Sequence, residues 1–151
     1  MRLLQCTSPV RDKWLVRWDV QADPETGTAS YMEEEFAGRP DPETVAALVR
    51  GWQNARTEEE IRSGFVWEGE QVWLSEENQF NYKAAHDLAV QTGGKTLPVT
   101  FKLGTDAKPV YRTFSTVDDL SAFYTAMVRH IQNALERGWR AKDAFSADSY
   151  T

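Results

Sequence analysis

The chain has 151 residues, 41% of them hydrophobic and 26% charged, with 17 Lys and Arg against 23 Asp and Glu for a net charge of −6. That length supports one ordinary domain or two small ones with a sizeable core, and the composition excludes both a disordered chain and a membrane-spanning one. The acidic balance removes the electrostatic basis for tracking phosphates, and the single cysteine, Cys6, can form neither an internal disulfide nor a thiolate zinc site.

Met1 to Val10 has no long apolar run, and the expectation there is a chain without a secretory leader. Residues 13–20 alternate, with Trp14, Val16, Trp18 and Val20 on one face and Lys13, Arg17 and Asp19 on the other. That is the period of a half-buried strand. Asp23-Pro24-Glu25-Thr26-Gly27 has turn chemistry and leads into a weak second strand, Thr28 to Phe36, where Glu33, Glu34 and Glu35 put charge on both faces, as suits an edge. Asp41-Pro42-Glu43 combines an N-cap, a first-turn proline and a first-turn acid. Val45, Leu48, Val49 and Trp52 then recur at helical spacing and predict an amphipathic helix to about Arg56. Thr57-Glu58-Glu59-Glu60 has capping-box order and predicts a short second helix ending at Ser63-Gly64.

Beyond Gly64 the order of elements repeats. Phe65-Val66-Trp67, a tight Glu68-Gly69 turn and Val72-Trp73-Leu74 predict a hairpin; Ser75 caps a helix to about Gln91, with Gly93-Gly94 as its stop. Leu97 to Leu103 and Val110 to Phe114 predict a second hairpin about the turn Gly104 to Pro109. Ser115-Thr116, succeeded by Asp118 and Asp119, opens the longest helix, to about Arg137, where Gly138 ends or bends it; Trp139 and Phe145 are apolar anchors for a C-terminal segment. The expected fold is α+β: two ββα units forming a mainly antiparallel sheet with helices on one face, preceded by an N-terminal β-hairpin and helix. The matching division is residues 1–63, a ββαββα domain at 64–147, and a fraying tail at 148–151.

Residues that could carry chemistry are few. His86 and His130 are the two histidines, each expected at the border of a buried face, and no metal-ligand spacing accompanies them. Thr92-Gly93-Gly94-Lys95-Thr96 has the look of the end of a phosphate-binding loop. Ala89 stands where that loop needs its first glycine, and the segment comes after a helix instead of a strand, so it reads as a helix stop. Glu33 to Glu35 and Glu58 to Glu60 read as solvated charge. No catalytic residue, metal or cofactor is therefore expected.

Of the six tryptophans, Trp14, Trp18 and Trp52 read as core. Trp67 and Trp73 flank the Glu68-Gly69 turn and either pack across the hairpin, the preferred reading, or stand exposed to grip a sugar ring or a protein. On the last helix an apolar stripe runs from Val117 to Leu135. Within it Val117, Leu120, Tyr124, Met127 and Ile131 also satisfy a two-heptad seam that would join copies of the chain, though intrachain packing is preferred on length.

Three stretches, Gly64 to Tyr82 with its Ser75-Glu76-Glu77-Asn78-Gln79, Leu97-Pro98-Val99-Thr100-Phe101, and Phe114-Ser115-Thr116-Val117-Asp118-Asp119-Leu120, occur in that order. Together, over roughly residues 64 to 146, they give a pattern that resembles a small domain of unknown function shared by tail-region proteins of bacteriophages and prophages. The resemblance implies a non-enzymatic virion or tail-associated structural protein that acts by protein–protein binding. Its implied partners are other tail or virion proteins and further copies of itself, with neither nucleic acid nor membrane. Its implied location is the bacterial host cytoplasm during assembly, and the virion. The alternatives are a tail-fibre assembly chaperone and a glycan- or receptor-binding module using Trp67 and Trp73. Residues 1–63 lie outside the resemblance and are open between a docking module, a partner-binding arm and part of one continuous fold.

Overall fold

A computed structural model describes residues 1–151. Strands β1 (Leu4–Ser8), β2 (Lys13–Asp23) and β3 (Thr28–Ala37) form an antiparallel sheet in the order β1-β2-β3. Helix α1 (Pro42–Ser63) comes next, then the hairpin β4 (Phe65–Trp67) and β5 (Glu70–Val72), helix α2 (Glu76–Gln91), the hairpin β6 (Val99–Gly104) and β7 (Pro109–Phe114), and helix α3 (Val117–Ala144). A 3-10 turn at Ala147–Tyr150 closes the chain. The class is α+β, with the hairpin-then-helix order that the residues predict, and each distal hairpin forms its own two-stranded ladder. The chain divides into two compact units, Met1–Gln53 with Ala141–Thr151, and Asn54–Arg140. That division falls inside α1 and inside α3.

In the first unit, alternation along β2 sends Val16 and Trp18 inward to meet Val45, Val49 and Tyr150, and the Trp18 and Trp52 rings meet edge to face at 6.1 Å. Alternation fails after Trp18. Asp19 takes φ 52°, the pairing with β3 slips between Trp18 and Gln21, and the bulge leaves Val20 exposed on a strand whose pattern would bury it. Trp14 is only partly buried. Its Nε1 donates to Asp12 Oδ1 at 2.8 Å and the Arg39 guanidinium lies 5.2 Å above its ring. Leu4–Ser8, too short to announce itself by periodicity, pairs along the other edge of β2. Arg17 ties the sheet together: it donates to Gln5 Oε1 at 2.8 Å, to Arg2 O at 2.9 Å and to Glu33 Oε2 at 3.1 Å. Glu35 lies 3.5 Å from Lys13, so two of the three consecutive glutamates are ion-paired within the sheet. The terminal residues 147–150 form a turn. Ser146 caps the 3-10 turn, and Tyr150 is buried with its hydroxyl donating to Arg17 O at 2.5 Å. Burying that ring outweighs the freedom of a short tail.

In the second unit the core centres on Phe123. Its ring lies between 5.2 and 5.9 Å from the rings of Phe65, Trp67, Tyr82, Phe101 and Phe114. Glu68 and Gly69 both take positive φ, 48° and 80°, as a two-residue hairpin turn requires. Ser75 Oγ accepts from Asn78 N at 3.1 Å, the expected cap of α2. Helix α1 does not restart at Thr57, because Thr57 is buried against Gly138 of α3 and works as a packing residue instead of a cap. Gly138 does not end α3, which runs on to Ala144. Among the last carbonyls of α1, Glu60 O accepts from Gly64 N at 2.9 Å, and side chains and strands of the unit supply further donors. His130 Nε2 donates to Glu60 O and Ile61 O at 3.0 and 3.3 Å, Leu74 N donates to Arg62 O at 2.8 Å, and Gln71 Nε2 donates to Ser63 O at 3.3 Å.

Candidate functional site

Val72 at the end of β5 and Leu74 just beyond it are both fully buried, and Trp73 between them is 45% exposed. Asn78 Nδ2 donates to Trp73 O at 2.9 Å and holds the backbone beneath the ring. Across from it is the β6–β7 turn. Gly104 takes φ 77° at a point where a Cβ would collide with Lys108 O, so the chain reverses there only with glycine. Lys108 N donates to Thr105 Oγ1 at 3.1 Å, and Lys102 Nζ donates to Asp106 Oδ1 at 3.0 Å. The Asp106 carboxylate holds the Lys102 ammonium above its ordinary pKa. Gln71, Trp73, Asn78, Lys102, Thr105 and Asp106 line a half-enclosed cleft of about 350 Å³.

Trp67 is not part of it. Register pairs Trp67 with Glu70, and Trp73 lies beyond the ladder, so the two indoles are not cross-strand partners. Trp67 packs edge-on against Phe123 at 5.5 Å in the core.

The heptad residues of α3 face inward within their own unit. Leu120 and Met127 are buried, and Val117, Tyr124 and Ile131 pack against the same core. The outer side of α3 presents Ala122, Thr125 and Arg129 along an open groove of about 760 Å³, with Ala126 at the groove's boundary with the core. Near it the His86 ring stacks on Tyr124 at 4.4 Å with Nε2 3.1 Å from Ser121 Oγ, and Asp87 Oδ1 lies 3.4 Å from His86 Nδ1. Asp87, His86 and Ser121 thus stand in the order of a nucleophilic triad. The Asp87 carboxylate, however, is held by Lys83 at 2.5 Å, which lowers its pKa below the ordinary range. Both histidines make hydrogen bonds at the margins of buried faces.

One further surface is not among the residues that the sequence singles out. Phe80, Ala84 and Leu88 recur at i, i+4 and i+8 on the outside of α2, with Phe80 70% and Leu88 50% exposed, while Tyr82 and Ala89 carry the buried side. Its signal is a helix apolar on two sides.

These features define an α+β chain whose second unit carries an aromatic-floored cleft and an uncovered apolar helix face. The chain belongs to a family of domains of unknown function, DUF4376, whose profile matches residues 45–151, more than half of its length. The match starts within α1, upstream of the Gly64 start of the resemblance. No curated protein and no solved structure is matched. No helix is long and apolar enough to cross a membrane, and no group of three or more His, Cys, Asp and Glu gathers as metal ligands.

Proposed function

We propose that this chain is a non-enzymatic, tail-associated structural protein of a phage or prophage that works by binding other tail or virion proteins. The observation that carries the reading is the Phe80–Ala84–Leu88 face of α2, an uncovered apolar stripe of the kind that marks protein interaction sites. The small side chains Ala122, Thr125 and Ala126 along the α3 groove add a surface that a second helix can approach closely. The non-enzymatic reading is supported by His86 and His130 being committed to structural hydrogen bonds. The setting rests on the resemblance of residues 64–146 to tail-region proteins, and the net charge of −6 disfavours nucleic acid. The corresponding location is the bacterial host cytoplasm during assembly and then the virion.

Mass spectrometry of purified particles and of affinity-captured complexes from the producing cells tests this. Stoichiometric copies in the particle are expected. Capture with fibre proteins together with absence from the particle would move the assignment to an assembly chaperone. Association with no tail protein in either sample overturns the reading.

A further inference from the structure

We infer that the Trp73 cleft is a saccharide-binding site that takes one pyranose ring of a neutral oligosaccharide. The inference goes beyond the protein-binding reading and does not depend on it. A pyranose has a face of C–H groups and a rim of hydroxyls, so its recognition needs an exposed aromatic plane beside a set of planar polar groups. Trp73 supplies the plane, and it is the one large apolar side chain the cleft exposes, since Leu103 beside it is 3% exposed.

Each sugar hydroxyl both donates and accepts, and the lining meets both needs. Lys102 donates, Asp106 accepts, and Thr105 does either. Gln71 and Asn78 each already donate an amide N–H, to Ser63 O and Trp73 O, which leaves their side-chain oxygens to accept from a ligand. The Lys102–Asp106 pair is neutral as a unit, which favours an uncharged ligand over a phosphate or a carboxylate. A cleft of about 350 Å³ is at the small end of ligand sites, the scale of a single ring with its neighbours outside. The site is also held in shape before binding. Asn78 pins Trp73 from below and the Thr105–Lys108 hydrogen bonds fix the facing turn, which lowers the ordering cost of association.

The test is nitrogen-15 NMR of the full chain titrated separately with maltotriose, cellotriose and triacetylchitotriose. Saturable shifts of the Trp73 indole N–H and the Gln71 and Asn78 side-chain amides are expected with at least one of the three, with Kd on the order of 1 mM. Trp73→Ala should weaken binding about tenfold or more, while Trp73→Phe keeps most of it and guards against a folding defect. Trp139→Ala removes an exposed indole outside the cleft and should change nothing. No saturable shift at about 10 mM sugar, or shifts that survive unchanged in Trp73→Ala, overturns the inference. Incorporation of the Trp73→Ala chain into particles is read separately, so failure of this site and failure of the protein-binding reading give different results.

Discussion

The side chain of Thr57 on α1 occupies the space where Gly138 on α3 would carry a Cβ. A glycine inside a helix costs roughly 1 kcal/mol relative to alanine, and here the missing methyl lets a buried threonine of α1 lie against the α3 backbone. Gly138→Ala should therefore destabilise the protein despite its better helix propensity, by about 1–2 kcal/mol once overpacking is set against propensity. Urea unfolding of Gly138→Ala, Thr57→Ala and the double variant measures it. The double variant should recover part of the loss, and a single Gly138→Ala chain more stable than the parent would show that the two residues do not compete for space.

That pair also explains what was legible in the sequence. Caps and turns are local, and Asp41, Ser75, Thr116 and Glu68-Gly69 all act where their chemistry places them. The Leu120, Phe123 and Met127 stripe faces the core because periodicity is local as well. Thr57-x-x-Glu60 has the same local form as a cap, but its role is set by Gly138, distant in sequence, and no window of residues contains both. Trp67 and Trp73 look equivalent until register pairs Trp67 with Glu70 and leaves Trp73 outside the ladder. Val20 fits its strand pattern and is exposed only because the chain bulges at Asp19.

Tyr150 gives a prediction at the other end of the chain. Its ring is buried in the first unit and its hydroxyl donates to Arg17 O of β2. Tyr150→Phe should cost about 1 kcal/mol, the net worth of one hydrogen bond, and Tyr150→Ala about 3–5 kcal/mol, the range for emptying an aromatic site. Thermal melts of the two variants separate these contributions. Equal, small losses would mean that the terminal turn is not docked.

His130, the α3 histidine that reaches the end of α1, should prove structural. The carbonyls of Glu60 and Ile61 can only accept, so His130 Nε2 carries the proton, and His130→Ala removes that donor from Ile61 O while Glu60 O keeps its bond from Gly64 N. A loss of about 1–3 kcal/mol is expected, together with faster amide hydrogen exchange in the last turn of α1. Unchanged exchange there would mean that the imidazole does not cap the helix.

Stability should fall in acid through specific carboxylates. Asp41 has a pKa below its ordinary 3.8 because the Thr44 hydroxyl and then the Thr44 amide hydrogen-bond its charged form, and Asp23 is lowered in the same way, first by the amide of Glu25. A carboxyl whose pKa is depressed on folding stabilises the protein fully above the unfolded value. That contribution is lost as pH drops through the folded value. The loss attributable to Asp41 therefore begins near pH 3.8 and grows below it. Asp41→Asn keeps an N-cap but cannot titrate, so its unfolding free energy should vary less steeply with pH below 3.8 than the parent's. Parallel curves would remove Asp41 from the account.

The exposed face of α2 separates binding from folding. Phe80 and Leu88 lie on the solvent side of the helix, while Tyr82 and Ala89 hold it to the core. Phe80→Asp with Leu88→Asp should then shift stability by only about 0.5 kcal/mol, as surface substitutions do. Phe80 and Leu88 are two turns apart on one face, so a partner that covers one covers the other, and a charge at either must be desolvated in the complex. Co-purification with tail proteins should therefore be lost in the double variant while the circular dichroism spectrum and melting temperature stay put. If association persists with both aspartates present, the partner does not use α2, and the small-residue groove of α3 becomes the surface to block, for which Ala122→Trp at an exposed position is the corresponding change.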